Sequence, residues 1–213
     1  MLGRLLDAVA KRGMDIALAG TGIALSWPLM AAICVAISLE DKDSPFYVQE
    51  RVGKNGKTFR LLKFRTMTNR ASGQEGPEIT VGIDPRITKV GQLLRGARLD
   101  ELPQLFNILL GEMSVVGPRP EVPRYVAHYT DEQLSVLNVR PGLTDPATLA
   151  YRHEAERLAQ SDDPETLYID EIMPEKLAMN LDYLSRRNTA RDLEVFFRTV
   201  AAVLSDQSEK KSS

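Results

Sequence analysis

The chain has 213 residues, a net charge of −2 and 43 % apolar side chains, which allows one core of ordinary size and excludes polyelectrolyte behaviour; nucleic acid is not an expected partner. One cysteine, Cys34, excludes an intrachain disulfide and fits a reducing, cytoplasmic setting. Charge is unevenly spread: residues 51–99 carry eleven Lys and Arg against three Asp and Glu, and residues 100–213 carry twelve against twenty. A basic block ahead of an acidic one suits an anionic ligand or membrane surface, and equally a solvated basic face paired with the acidic C-terminal part.

Residues 1–13 form an amphipathic lead with Leu2, Leu5, Leu6 and Val9 on one helical face. Ile16–Leu39 follows, 24 residues without a charge. As a helix it extends about 36 Å, enough for a hydrocarbon core of about 30 Å. It is longer than the apolar region of a signal peptide, about 7–15 residues. Cys34 lies inside it and reads as a small hydrophobe. Near its middle, Pro28 removes a backbone donor and Ser26 can bond a backbone carbonyl. A bend there returns the chain to the side it entered from; a kinked spanning helix fits the local sequence equally well. Asp15, at the start of the run, is expected to cap the helix or pair with Arg12.

Ser44–Met67 reads as a β-hairpin turning at Lys54-Asn55-Gly56-Lys57. Lys63 and Arg65 share a face of its second arm and are phosphate-binding candidates or solvated cations. Asn69–Pro85, rich in Gly, Ser, Glu and Pro, is expected as a loop. Thr88–Gly96 is a short helix carrying Lys89 and Arg95.

The chain centres on Arg98–Pro120, RLDELPQLFNILLGEMSVVGPRP. The apolar run Leu102–Leu110 is preceded by Asp100 and Glu101 and ends at Gly111. The adjacent acids suit a helix start, with Pro103 in the first turn. They equally suit a divalent cation and a nucleophile, one carboxylate holding Mg²⁺ and the other attacking phosphorus. The rigid turn Gly117-Pro118-Arg119-Pro120 follows.

Two short helices are expected in Glu121–Asn138, the second capped by Thr130. Arg140–Pro146 is a turn-rich loop, with Arg140 facing the site or a carboxylate. Residues 148–160, 164–184 and 189–204 are helical by period, the last with Leu193, Phe196, Phe197, Val200 and Val203 on one face. Residues 205–213 are expected as a disordered tail. His128 and His153 lack metal-ligand spacing.

KRGMD, the broken apolar run with Ser26 and Pro28, KFRTM, LDELPQLFNILLGEMSVVGPRP and RPGLT occur in that order. Together they resemble the bacterial sugar transferases, monotopic phosphoglycosyl transferases that begin glycoconjugate assembly. The resemblance runs from about Lys11 to Val203, and the length matches the small form made of the catalytic core alone. It implies an α+β, mostly helical fold, with a re-entrant helix–break–helix membrane segment in residues 1–40. A cytosolic catalytic domain with a β-hairpin and short and amphipathic helices would occupy residues 41–204. It places the protein on the cytoplasmic face of the bacterial inner membrane. It implies transfer of a sugar-1-phosphate from a UDP-sugar to undecaprenyl phosphate with release of UMP, dependent on Mg²⁺. Asp100 would be the nucleophile, Glu101 the metal ligand, and Pro118-Arg119-Pro120 the nucleotide-holding turn. Lys63 and Arg65, with Arg98 and Arg140, are the expected cations around the diphosphate. Downstream glycosyltransferases are candidate partners. The rivals are a non-catalytic membrane scaffold of a polysaccharide complex, and a bitopic protein with its domain outside. One departure stands out: after RPGLT many relatives continue with Gly and an aromatic residue, whereas this chain has Asp145-Pro146-Ala147. The departure leaves the identity of the sugar open.

Overall fold

The computed structural model describes residues 2–68 and 84–212. The lead and the apolar run form one helix, α1 (Leu2–Asp41), with Pro28 inside it. Ser26 Oγ donates to the Gly22 carbonyl at 2.7 Å, the back-bond expected of a serine ahead of a proline. The expected break at Ser26–Pro28 is therefore no loop; residues on both sides stay helical, since one lost hydrogen bond does not end an apolar helix. Leu25 is 78 % exposed, Trp27 63 % and Leu39 76 %, and only 17 % of the most apolar stretch of α1 is buried. Each Å² of such surface left in water costs roughly 25 cal/mol, so lipid is its natural solvent.

β1 (Phe46–Val52) and β2 (Thr58–Phe64) form the hairpin, in antiparallel register from Phe46 opposite Phe64 to Val52 opposite Thr58. Asn55 (φ 58°) and Gly56 (φ 72°) turn it, in the left-handed region those two residues tolerate best. α2 (Lys89–Gly96) is capped by Thr88 Oγ1, which accepts the Gly91 amide. Glu40, at the far end of α1, adds its carboxylate, accepting the Lys89 and Val90 amides at 2.9 and 3.1 Å. α3 (Gln104–Leu110) ends on Gly111 at φ 85°.

β3 (Ser114–Val116) pairs in parallel with β4 (Gly142–Thr144), a pairing that three-residue strands give no periodic sign of. The two segments cross so closely that a Cβ on Gly142 would stand 2.2 Å from the Gly117 amide nitrogen. α4 (Pro123–Val126) and a 3₁₀ turn over Gln133–Asn138 come between them. Thr130 and Gln133 cap that turn reciprocally, as expected. α5 (Pro146–Ala150), α6 (Glu154–Ala159), α7 (Pro164–Leu167), a π turn at Tyr168–Ile172, α8 (Met173–Ser185) and α9 (Thr189–Ser212) complete the chain. α9 continues through residues 205–212, where a disordered tail was expected, because neither Gly nor Pro stops it. The expected loop Asn69–Pro85 lies, up to residue 83, outside the described residues.

Both halves of α1 pack on the hairpin and its neighbours. Ala19 joins Leu61, Leu105, Ile108, Val115 and Tyr183; Met30, Ile33 and Ile37 join Phe64 and Leu94. A separate cluster gathers Val122, Tyr125, Tyr168, Ile172 and Leu177 under the C-terminal helices. Buried Asp15 pairs with Lys11 at 2.8 Å and also accepts the Val115 amide at 3.0 Å. Lys11 reaches Asp192 of α9 at 3.0 Å, which pairs in turn with Arg187 at 3.2 Å. Arg12, the expected partner of Asp15, instead donates to the Ile108 and Leu109 carbonyls at 2.7 and 3.0 Å, where the end of α3 leaves acceptors unsatisfied.

Asn107 locks α3 against the free edge of β2. Its Oδ1 accepts the Leu62 amide at 3.0 Å and its Nδ2 donates to the Arg60 carbonyl at 2.8 Å. Asn107→Leu leaves both part-buried backbone groups without their partner and should cost about 2 kcal/mol, read as a lower thermal midpoint in detergent; an unchanged midpoint would mean that water replaces the amide freely.

Candidate active site

Neither Asp100 nor Glu101 caps α3. They lie in a single 3₁₀ turn, Leu99–Glu101, and no side-chain cap bond is made at the start of α3. Pro103 starts that helix, so a capping carboxylate has few amides to receive. The turn is entered through Arg98, which holds a left-handed conformation at φ 54°, uncommon for a residue with a side chain. Arg98 thus contributes through its backbone: its amide bonds the Arg95 carbonyl at 3.1 Å and turns the chain from α2 into the dyad.

Glu101 is caught between two cations. Lys63 Nζ, from β2, stands 3.1 Å from Oε1, and Arg119 Nη2, from the Pro-Arg-Pro turn, 2.5 Å from the same oxygen. Its side chain keeps 15 % of its surface exposed. Burial alone would push the carboxyl up; the Arg119 guanidinium and the Lys63 ammonium outweigh it and hold Glu101 well below the usual carboxylate range. Glu101 in turn raises Arg119. Burial lowers Lys63, with Glu101 opposing the shift.

Asp100 is the converse case. Among the described residues no group donates a hydrogen bond to its carboxylate. Burial, and then the Glu101 charge, push its carboxyl up, against the pull of Lys63, Arg95 and Arg119. A carboxylate without such a donor among the described residues, kept from full neutralisation, is suited to attack. Arg95 is the cation that sequence reasoning passed over. It donates from Nε to Thr66 Oγ1 at 2.9 Å, and its field reaches Asp100. Its spacing of one helical turn and a half from the dyad gave no warning, because the left-handed Arg98 reverses the chain between them.

Lys63 and Arg119 therefore meet the dyad, while two expected cations do not. Arg65 pairs with Asp43 at the mouth of the hairpin and donates to the Phe46 carbonyl. The hairpin pairing runs on past Phe64, with the Arg65 amide donating to the Pro45 carbonyl at 2.9 Å, which keeps Arg65 beside the start of β1. Arg140 donates from Nε to the Gly111 carbonyl at 2.7 Å, satisfying the C-terminal end of α3 beside Arg12. Pro118 and Pro120 are buried and frame a half-buried Arg119. On the side toward α1, Leu99 and Leu102, which flank the dyad, pack against the cluster of Met30, Ile33 and Ile37.

The chemistry of this donor set is two adjacent carboxylates with three cations around them. Among the described residues no group of three or more His, Cys, Asp and Glu side chains stands ready for a metal. A divalent cation therefore fits here as Mg²⁺ is commonly held, by one or two carboxylates together with substrate phosphates, and not as a metal caged by protein alone.

The family model for bacterial sugar transferases matches residues 6–206. A UDP-glucose:undecaprenyl-phosphate glucose-1-phosphate transferase from Caulobacter vibrioides is 35 % identical over 206 residues, covering 95 % of this chain and 73 % of its own length. The exopolysaccharide production protein ExoY from Rhizobium meliloti is 34 % identical, covering 94 % of this chain and 88 % of its own. A UDP-N-acetylgalactosamine-undecaprenyl-phosphate N-acetylgalactosaminephosphotransferase from Aeromonas hydrophila is 36 % identical over 95 % of this chain, which spans 46 % of that longer protein. With the family model matching nearly its whole length, this chain belongs to the bacterial sugar transferase family.

Proposed function

We propose that the protein transfers a sugar-1-phosphate from a UDP-sugar to undecaprenyl phosphate at a membrane surface, releasing UMP. The observation that carries this reading is the split of the dyad: Glu101 is held by Lys63 and Arg119, while Asp100 accepts no hydrogen bond among the described residues and is raised. A dyad kept only to start a helix would cap it, which neither residue does. The names of the relatives from Caulobacter and Aeromonas supply the donor and acceptor classes.

In this mechanism Asp100 attacks the phosphorus bonded to the sugar. A P–O bond forms to Asp100, the bond to the bridging oxygen breaks, and UMP leaves with that electron pair. A phosphate oxygen of the polyprenol then attacks the same phosphorus and releases the Asp100 carboxylate. Two displacements through one acyl phosphate give ping-pong kinetics. Lys63, Arg119 and Arg95 lower the repulsion between the carboxylate and the diphosphate, and stabilise charge on the leaving phosphate. Glu101 would hold Mg²⁺ together with the diphosphate, and the ion would add Lewis-acid neutralisation of the leaving group.

For membrane placement, we read α1 as re-entrant, with the catalytic domain on the cytoplasmic face. Its first turns bond to α9, where Asp7 accepts from Thr189 Oγ1 at 2.7 Å, and its last turn caps α2 through Glu40. Both ends of the apolar run thus dock on one polar domain, which a helix crossing the bilayer could do only by drawing that domain into lipid. Leu25 and Trp27, beside Pro28, are the exposed apex. The apolar acceptor would reach Asp100 along α1, past Leu99 and Leu102.

With Mg²⁺, undecaprenyl phosphate and a panel of UDP-sugars, purified protein should release UMP with one donor, and Asp100→Asn should lower kcat by about 10³-fold or more. Full activity in Asp100→Asn would end the nucleophile assignment. Because Asp100 must be ionised and its pKa is raised, kcat/KM should fall with decreasing pH along a limb above the ordinary aspartate value of about 3.9. Lys63→Met removes a charge that favours ionised Asp100 and should move that limb higher; a limb that stays or moves down would refute the electrostatic assignment. Cysteines placed at the exposed positions Ile16 and Leu39, at the two ends of the apolar run, should label from the same membrane face, and labelling from opposite faces would make α1 a span.

A further inference from the structure

The departure from the common pattern after RPGLT has a place in the structure. Asp145 follows β4, is 0 % exposed, and caps α5 by accepting the Thr148 amide on Oδ1 at 2.8 Å. Its second oxygen faces elsewhere: Oδ2 accepts the Thr148 hydroxyl at 2.9 Å and the Arg119 amide at 3.1 Å.

The last of these bonds is the informative one. Pro118 and Pro120 have no amide hydrogen, so Arg119 supplies the only backbone donor of the Pro-Arg-Pro turn. The bonds on either side are backbone to backbone: Gly117 donates to the Thr144 carbonyl at 3.0 Å and Gly142 to the Pro118 carbonyl at 2.9 Å. The ladder between β3 and β4 runs out at Arg119, and the Asp145 carboxylate takes the place of the next carbonyl. The same carboxylate adds negative potential near the Arg119 guanidinium, which Glu101 chiefly holds. An ordinary helix cap needs neither the buried second oxygen nor a partner 26 residues away.

We infer that Asp145 is a positioning residue of the transfer site: by anchoring the Arg119 amide it aims the guanidinium at Glu101 and at the donor's diphosphate. This rests on the reading of Arg119 as a diphosphate contact. Asp145 touches no reacting atom and acts only through Arg119.

The test is a double-mutant cycle read by binding, using UDP with Mg²⁺ as the probe and titration calorimetry in detergent. Asp145→Ser keeps an N-cap for Thr148 but is too short to reach Arg119 as well. It should weaken UDP about fivefold to tenfold, the loss of one buried hydrogen bond and its aim. On an Arg119→Lys background the same change should weaken UDP by less than about twofold, since the group it acts through is gone. Equal loss in both backgrounds, or no loss in the single variant, would overturn the inference. If Asp145→Ser shows no cooperative melting, Asp145→Asn serves in the same cycle, having one acceptor oxygen left for two amide donors. A folded wild type that binds no UDP would overturn the donor reading itself and this inference with it, an outcome that the variants cannot imitate.

Discussion

A carboxylate taken largely out of water must be paired, and Glu101 is where that requirement draws three separate segments together. Lys63 comes from the second hairpin strand, Glu101 from the turn before α3, and Arg119 from the turn after β3. None of the three could hold its place alone. The strand is fixed by Asn107, the turn by the left-handed Arg98, and Arg119 by two buried prolines and the Asp145 carboxylate. Much of the hydrogen bonding in this half of the molecule serves to keep one ion triad assembled.

The triad also explains why adjacent acids behave differently. Glu101 absorbs most of the positive charge and stays ionised. Asp100, one residue away, is raised by burial and then by its negative neighbour, which together outweigh the pull of the cations. Two groups of nearly equal intrinsic acidity are separated by environment alone, the usual way a single site provides both a charge holder and a reactive group. Lys63 and Arg95 of the basic block stand over the acids that open the acidic one.

The apolar helix is fastened to the same assembly by polar groups at its ends and by packing between them. Lys11, Asp15, Asp192 and Arg187 form a balanced buried cluster at its base, and Glu40 closes its other end on α2. Breaking any one member leaves a buried charge without its partner, which costs far more than the whole cluster contributes. The face between carries Leu25, Trp27 and Leu39 into the surroundings. A membrane-bound α1 therefore fixes the height and tilt of the dyad through Leu99 and Leu102.

Local and periodic features were legible in the sequence. The uncharged run, the Asn-Gly hairpin, the Thr130 cap and the Gly111 stop depend on residues close together in the chain, and each is found where its pattern places it. The dyad and the Pro-Arg-Pro turn were legible as a motif, since their order along the chain is specific even though each piece is weak. What the sequence could not decide was which cation faces which acid. Lys63 and Arg65 share a strand face on paper, yet one reaches Glu101 and the other Asp43; Arg140 reads like Arg119, yet closes the end of α3. Arg95 and Asp145 went unassigned because their partners lie across a chain reversal or a three-residue parallel pairing. Periodicity reports which side of an element a residue occupies; only the tertiary structure decides what stands opposite, because electrostatic partners are chosen by distance in space and not by spacing along the chain.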